Sequence, residues 1–180
     1  MFVVVRHLRV DVSEVKRVPG KTLQLELSTT WEHPLHWQGE ELPFTGPLSV
    51  HLTLEGQKGG TILVRGRLAS ALGVECSRCL EPFDYPLEAD FEGAFFPEGK
   101  RTDRDEEEFA GQFYAGDTIE LDDLLQQSIY LILPMQFLCS PGCQGLCPHC
   151  GRRKEEGCHC QSEQVDPRLE VLKQLLQEKS

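Results

Sequence analysis

The chain lacks any long apolar run. Its longest stretches, Met1–Val5 and Ile129–Leu133, fall far short of the ~20 residues a bilayer-spanning helix needs. No membrane partner is therefore expected. Basic residues are also scarce: 18 Lys and Arg stand against 29 Asp and Glu, a net charge of −11 and a pI of about 5.0. A broad phosphate-binding surface announces itself by the opposite balance, so general binding to bare nucleic acid is excluded. Arg6, His7, Arg9 and Asp11 break up the amino end before it can read as an export signal, and the expected setting is a reducing cytoplasm. Catalytic motifs are absent too, with no serine nucleophile elbow, phosphate loop or HExxH helix. His7, His33, His36 and His51 are scattered through polar or strand-like segments and read as surface or packing residues. The expectation is a protein that binds, not an enzyme.

What is present is an ordinary globular composition, 39% apolar and 26% charged, with eight cysteines. The charge is uneven. Residues 1–138 carry twelve basic and 23 acidic groups, whereas residues 139–180 carry six of each. An acidic body steers basic proteins toward itself, although solubility alone also accounts for such a charge.

The first hundred residues read as strands. Phe2, Val4, Leu8, Val10 and Val12 mark one extended run. Leu23, Leu25 and Leu27 alternate with polar neighbours, as do Val50, Leu52 and Leu54 and then Ile62, Val64 and Leu68. Gln57-Lys58-Gly59-Gly60 is a hairpin signal. A further run starts at Leu72, and another spans Phe83–Phe91 with Pro86 favouring a sheet edge. Short antiparallel strands at this spacing predict a small barrel or sandwich. Residues 97–108 read as a solvated acidic loop, with docking of a basic partner as the alternative. Leu121, Leu124, Leu125, Ser128, Ile129, Ile132 and Leu133 form one helical stripe, with Asp122 as the expected cap and Pro134 as the stop. Asp166-Pro167 opens a terminal helix carrying Leu169, Leu172, Leu175 and Leu176. Trp31, Trp37 and Phe44 line a groove or pack in the core. The predicted fold is α+β: a β-rich domain over 1–118, an amphipathic helix over 119–138, and a cysteine-rich zinc-knuckle module with the terminal helix over 139–180.

Six cysteines fall between Cys139 and Cys160. Zinc takes four tetrahedral ligands, and thiolates suit it. Cys147-Pro-His-Cys150-Gly151 is the firmest pair: the two-residue spacer lets both sulfurs converge, and Gly151 suits the exit of a tight turn. Cys143 is the expected third ligand. The fourth position stays open among Cys139, His159 and one of Cys158 and Cys160, with His149 less favoured. Cys76-Ser-Arg-Cys79 is a second C-x-x-C that either joins leftover thiols in a second site or packs as two reduced thiols at a turn. A thioredoxin-type dithiol role for Cys147 and Cys150 lacks the strand and long helix such chemistry needs.

At these residues the sequence resembles the YceD-like family. The resemblance rests on Cys76-x-Arg78-Cys79-Leu80, the helix running into Leu133-Pro134, Cys143-x-Gly145-Leu146-Cys147-Pro148-x-Cys150-Gly151, and Cys158-x-Cys160 before Asp166-Pro167-Arg168-Leu169. Members often carry Asn-Leu-Asn after the knuckle, where this chain has Arg152-Arg153-Lys154. The resemblance implies a factor needed for accumulation of large-subunit ribosomal RNA, with no established enzymatic activity and with ribosomal RNA or a ribosomal protein as partner. Arg152, Arg153 and Lys154, joined by Arg78, are the candidate RNA contacts; Glu155 and Glu156 follow at once, so a solvated turn is the competing reading. A zinc-dependent thiol-switch sensor is the alternative of a different class. A zinc module that associates with RNA polymerase is the third.

Overall fold

A computed structural model describes residues 8–100, 112–154, 157 and 160. The terminal helix expected from Asp166, the acidic run 101–108, Phe2 and Val4, and Cys158 with His159 lie outside the described residues.

The period-two segments become a five-stranded sheet in the order β2-β5-β6-β7-β8. Its members are β2 (Thr22–Thr29), β5 (Leu48–Gly56), β6 (Ile62–Glu75), β7 (Pro82–Pro97) and β8 (Gln112–Tyr114). All pairings are antiparallel except the last, where β8 joins β7 in parallel over Phe95–Pro97 only. The sheet therefore has two ends, β2 and β8. The expected barrel closure is not present in the hydrogen bonding of the described residues. The runs expected at Ile62–Leu68 and from Leu72 are a single fourteen-residue strand. Pro86 sits opposite Ala71, well before the stretch where β8 pairs, so its missing N–H faces a side that needs no donor.

Register explains the core. Leu25 pairs with Leu52, Leu52 with Gly66 and Gly66 with Phe91, and these residues line one face in a row across four strands. Gly66 has no room for a side chain: a Cβ there would lie 2.2 Å from the His51 carbonyl oxygen and 2.8 Å from the Phe91 ring. The next row ends at Gly93, where a Cβ would meet the Leu124 methyl groups at 2.9 and 3.0 Å. That close approach seats helix α2 (Asp122–Ile132) on β7, with Leu121, Leu125 and Ile129 buried. Pro134 follows as expected, and Leu133 before it is extended.

Asp122 is not the cap. Leu121 holds that position, and the Asp122 carboxylate instead accepts a hydrogen bond from the Leu8 N–H at 2.9 Å. The bond ties the helix start to the strand pair β1 (Arg9–Asp11) and β9 (Thr118–Glu120). A five-residue helix α1 (Ser13–Arg17) and the hairpin β3 (Leu35–Trp37) and β4 (Glu40–Leu42) complete the described fold. Trp31, Trp37 and Phe44 are partly buried against the core, Trp37 stacking on Tyr130 of α2.

Beyond the helix, Phe137 packs edge-on to Tyr85 of β7 at 5.1 Å between ring centroids. Its carbonyl accepts from the Ser77 N–H at 2.8 Å. These two contacts bring the cysteine-rich segment to the turn between β6 and β7.

Candidate functional site

The β6–β7 turn is a tight knuckle. The Cys76 N–H donates to the Glu81 carbonyl at 2.9 Å, and the Leu80 N–H donates back to the Cys76 carbonyl at 2.9 Å. Leu80 is thereby held at φ +60°, a left-handed conformation that a branched side chain rarely adopts. The same turn recurs downstream. The Cys147 N–H donates to the Arg152 carbonyl at 2.7 Å, and the Gly151 N–H donates to the Cys147 carbonyl at 2.9 Å, with Gly151 at φ +69°. Both C-x-x-C segments therefore adopt one backbone design, and the second has the residue that design favours.

Two thiol clusters result. Cys76, Cys79, Cys139 and Cys143 place all four sulfurs within 4.8 Å of one another, and Cys147, Cys150 and Cys160 do the same as a group of three. In the first, the Cys76 and Cys143 sulfurs are 3.8 Å apart and those of Cys79 and Cys139 are 3.7 Å apart. A tetrahedron with zinc–sulfur bonds of about 2.3 Å has edges of about 3.8 Å. Cys76, Cys79 and Cys143 are buried and Cys139 is half-buried, with Phe83, Leu138 and Leu146 packed around them. In the second, Cys147 is buried whereas Cys150 and Cys160 are exposed.

The grouping differs from the expected one. Proximity in sequence groups Cys143 with Cys147 and Cys150 and makes Cys139 or His159 the completing ligand of that set. Cys139 and Cys143 instead face the Cys76–Cys79 turn. The reason is local. Arg78 Nη1 donates to the Cys143 carbonyl at 2.8 Å, and the Arg78 carbonyl accepts from the Leu146 N–H at 3.1 Å. Gly145 makes this approach possible: it sits at φ +74°, and a Cβ there would lie 2.9 Å from the Arg78 carbonyl oxygen.

The thiols feel one another. Backbone hydrogen bonding at Cys139, helped by the Cys79 and Arg78 backbone, favours the Cys76 thiolate over the cost of burial and draws its pKa down to about 6. Burial and the thiols of Cys76, Cys79 and Cys143 push Cys139 up to about 12. At Cys143 the Gly145 N–H favours the thiolate, yet burial and the Cys79 and Cys76 thiols leave the group raised. A second thiolate is disfavoured once the first has formed, and a divalent cation at the centre would reverse that penalty.

The basic triad splits. Arg152 and Lys154 are exposed, and the Lys154 N–H donates to the Gly145 carbonyl at 3.1 Å. Arg153 is half-buried, its Nη1 3.3 Å from the Glu81 carboxylate, and it bridges to Leu146. Arg78 carries its guanidinium toward Cys143, so it braces the site. Beside the same turn, Glu40, Glu41, Glu75 and Asp84 border a groove of about 700 Å³ floored by Leu42, Val74 and Phe83. The sequence reading missed this groove, because its walls come from two hairpins far apart in the chain. No helix among the described residues is long and apolar enough to cross a membrane.

A family model described as "Large ribosomal RNA subunit accumulation protein YceD" matches residues 64–176, a span that holds every cysteine of both clusters. Among curated proteins, the chain is 30% identical over 172 residues to uncharacterized proteins of Mycobacterium bovis and Mycobacterium tuberculosis, covering 94% of this chain and 81% of each relative. An uncharacterized protein of Mycobacterium leprae is 24% identical over 142 residues, covering 78% of this chain and 64% of its own length. No solved structure matches the chain significantly.

Proposed function

Because the chain belongs to the YceD family of large ribosomal RNA subunit accumulation proteins, we propose that it is a zinc-binding, non-enzymatic accessory factor of large-subunit biogenesis in the cytoplasm. The observation that carries the reading is the family match over residues 64–176, in which both C-x-x-C turns lie. Zinc, held by cysteine thiolates, serves as a fastener: it fixes the loop after Cys150 so that Arg152 and Lys154 project into solvent, where they contact ribosomal RNA phosphates. The acidic groove along Glu40, Glu41, Glu75 and Asp84 takes the basic segment of a ribosomal protein.

The test is sedimentation of the tagged full chain with large-subunit precursors from cells, comparing wild type with Arg152→Glu/Lys154→Glu. The double reversal is expected to reduce the precursor-bound fraction several-fold and to shallow the salt dependence of binding. Undiminished co-sedimentation would remove the RNA contact. Absence of wild-type protein from every precursor fraction would remove the ribosomal reading itself.

A second reading, a thiol-switch sensor, is favoured by the lowered Cys76 thiol. Its weakness is burial, since an oxidant must reach a sulfur that is 0% exposed. Mild peroxide that released zinc and changed precursor binding in step would favour the sensor.

A further inference from the structure

The two thiol clusters follow one another along the chain. Cys139 and Cys143 complete the first, and the next cysteine, Cys147, opens the second. We propose that Cys76, Cys79, Cys139 and Cys143 form a metal site of their own, a closed tetrathiolate taking one soft, tetrahedral divalent cation, separate from an ion held at Cys147, Cys150 and Cys160. The proposal rests on the zinc-binding part of the reading above and not on its ribosomal part.

Donor number and type come first. Among the described residues four sulfurs and no carboxylate meet in the cluster, a donor set that disfavours hard cations requiring oxygen ligands and selects a thiophilic ion. Geometry comes second. The Cys79–Cys139 and Cys76–Cys143 sulfur separations, 3.7 and 3.8 Å, already match the edge of a zinc tetrathiolate, and the remaining pairs, all within 4.8 Å, need close by no more than about an ångström. A disulfide is a poor fit to the same distances, since a covalent S–S bond is about 2.05 Å and all four cysteines are free.

The surroundings give the third reason. A structural zinc site is closed and dry, and here three of four sulfurs are buried among Phe83, Leu138 and Leu146. The turn that delivers Cys76 and Cys79 holds Leu80 in a left-handed conformation, a cost retained in the fold because both sulfurs must point the same way. Partners 60 and 67 residues apart in sequence are thereby joined across the sheet end. The second cluster is of another kind. Its three described sulfurs leave one tetrahedral position to fill, and two of them are exposed, so its ion exchanges faster than the first.

Metal content of the full chain, purified under reducing conditions, tests this by native mass spectrometry with zinc. The wild type is expected to carry two ions, Cys79→Ser/Cys139→Ser one, and Cys147→Ser/Cys150→Ser one. A wild-type count of one, a Cys79→Ser/Cys139→Ser count of two, or complete loss in Cys147→Ser/Cys150→Ser overturns the proposal. Cadmium-113 resonance on the wild type guards against variants that fail to fold. Two signals are expected, one of them in the four-sulfur range, and a single signal overturns the proposal. Ribosome association can fail with these counts unmoved, so the two ideas fall separately.

Discussion

Leu80 and Gly151 occupy the same place in two copies of one turn, each donating its N–H to the carbonyl of the leading cysteine at 2.9 Å and each at positive φ. Only one of them is glycine. A left-handed conformation costs an L-residue about 1–2 kcal/mol that glycine does not incur. Leu80 is 59% exposed, so little burial is lost on its removal.

Leu80→Gly and Gly151→Ala are therefore expected to move stability in opposite directions. The first should raise the denaturant midpoint of the zinc-loaded chain slightly, since glycine's greater unfolded freedom offsets up to ~1 kcal/mol of the relief. The second should lower it by about 1 kcal/mol and weaken metal retention at Cys147 and Cys150. Equal effects of the same sign would show that the two turns do not share one backbone.

Gly145→Ala should be the most disruptive small change at the site. It combines positive φ with a contact of 2.9 Å to the Arg78 carbonyl oxygen, a backbone atom that cannot swing aside. Gly116 is a control, with φ +71° and nothing within 4 Å of a built Cβ. Gly116→Ala should cost about 1 kcal/mol from conformation alone. Gly145→Ala should cost about 1–3 kcal/mol more and expose the 143–154 segment to limited proteolysis. If both glycines give the same loss, the Arg78–Gly145 contact does not hold the two turns together.

Much of this was legible in the sequence, and the failures have definite causes. Alternation at Leu23, Leu25, Leu27 and at Val50, Leu52, Leu54 located β2 and β5, because one face of each is covered and the other is not. The unbroken length of β6 was hidden by Gly66, Ala69, Ser70 and Ala71, small residues that dilute the pattern while their partners on β7 fill the space. The Gln38-Gly39 turn, with φ of +52° and +89°, joins β3 to β4 but carries a weaker signal than Asn-Gly. The parallel joining of β8 to β7 leaves no local trace at all. The cysteines teach the same lesson. Composition pointed to metal, but nearness in sequence drew Cys143 toward Cys147, whereas Arg78 and Leu146 hold it at a turn more than sixty residues earlier.

The core makes a graded prediction. At Gly93 an added methyl meets the ends of the Leu124 side chain, which can change rotamer, so Gly93→Ala should cost about 1 kcal/mol. At Gly66 the obstacle is the His51 carbonyl oxygen at 2.2 Å, in the middle of a paired strand. Gly66→Ala should cost about 3 kcal/mol or more, at the upper end of overpacking penalties. Urea unfolding of both variants decides the order. A larger loss at Gly93 would mean that α2 is seated more rigidly than the strand ladder beneath it.

Proton competition gives a signed prediction for metal binding. A thiol must lose its proton to bind metal, so acid weakens binding and loading releases protons. In the metal-free chain Cys76 titrates at about 6 and is already a thiolate at pH 7.5, whereas Cys139, at about 12, and the raised Cys143 are still protonated. Zinc uptake at pH 7.5 should then release protons from Cys139 and Cys143 and none from Cys76. Affinity should fall as pH drops from 7.5 and fall more steeply below about 6, where Cys76 also holds a proton. The sign for the metal-free fold follows from the same groups. The lowered Cys76 stabilises it above the unfolded thiol's ordinary range and loses that contribution as pH falls through about 6, while the raised Cys139 stabilises it below that range and loses its contribution as pH rises toward 12. Titration of Cys147→Ser/Cys150→Ser with zinc in weak buffer, reading released protons with an indicator dye, isolates the first cluster. Uptake with no proton release, or with an affinity flat between pH 5 and 8, would mean that these four sulfurs are not what holds the ion.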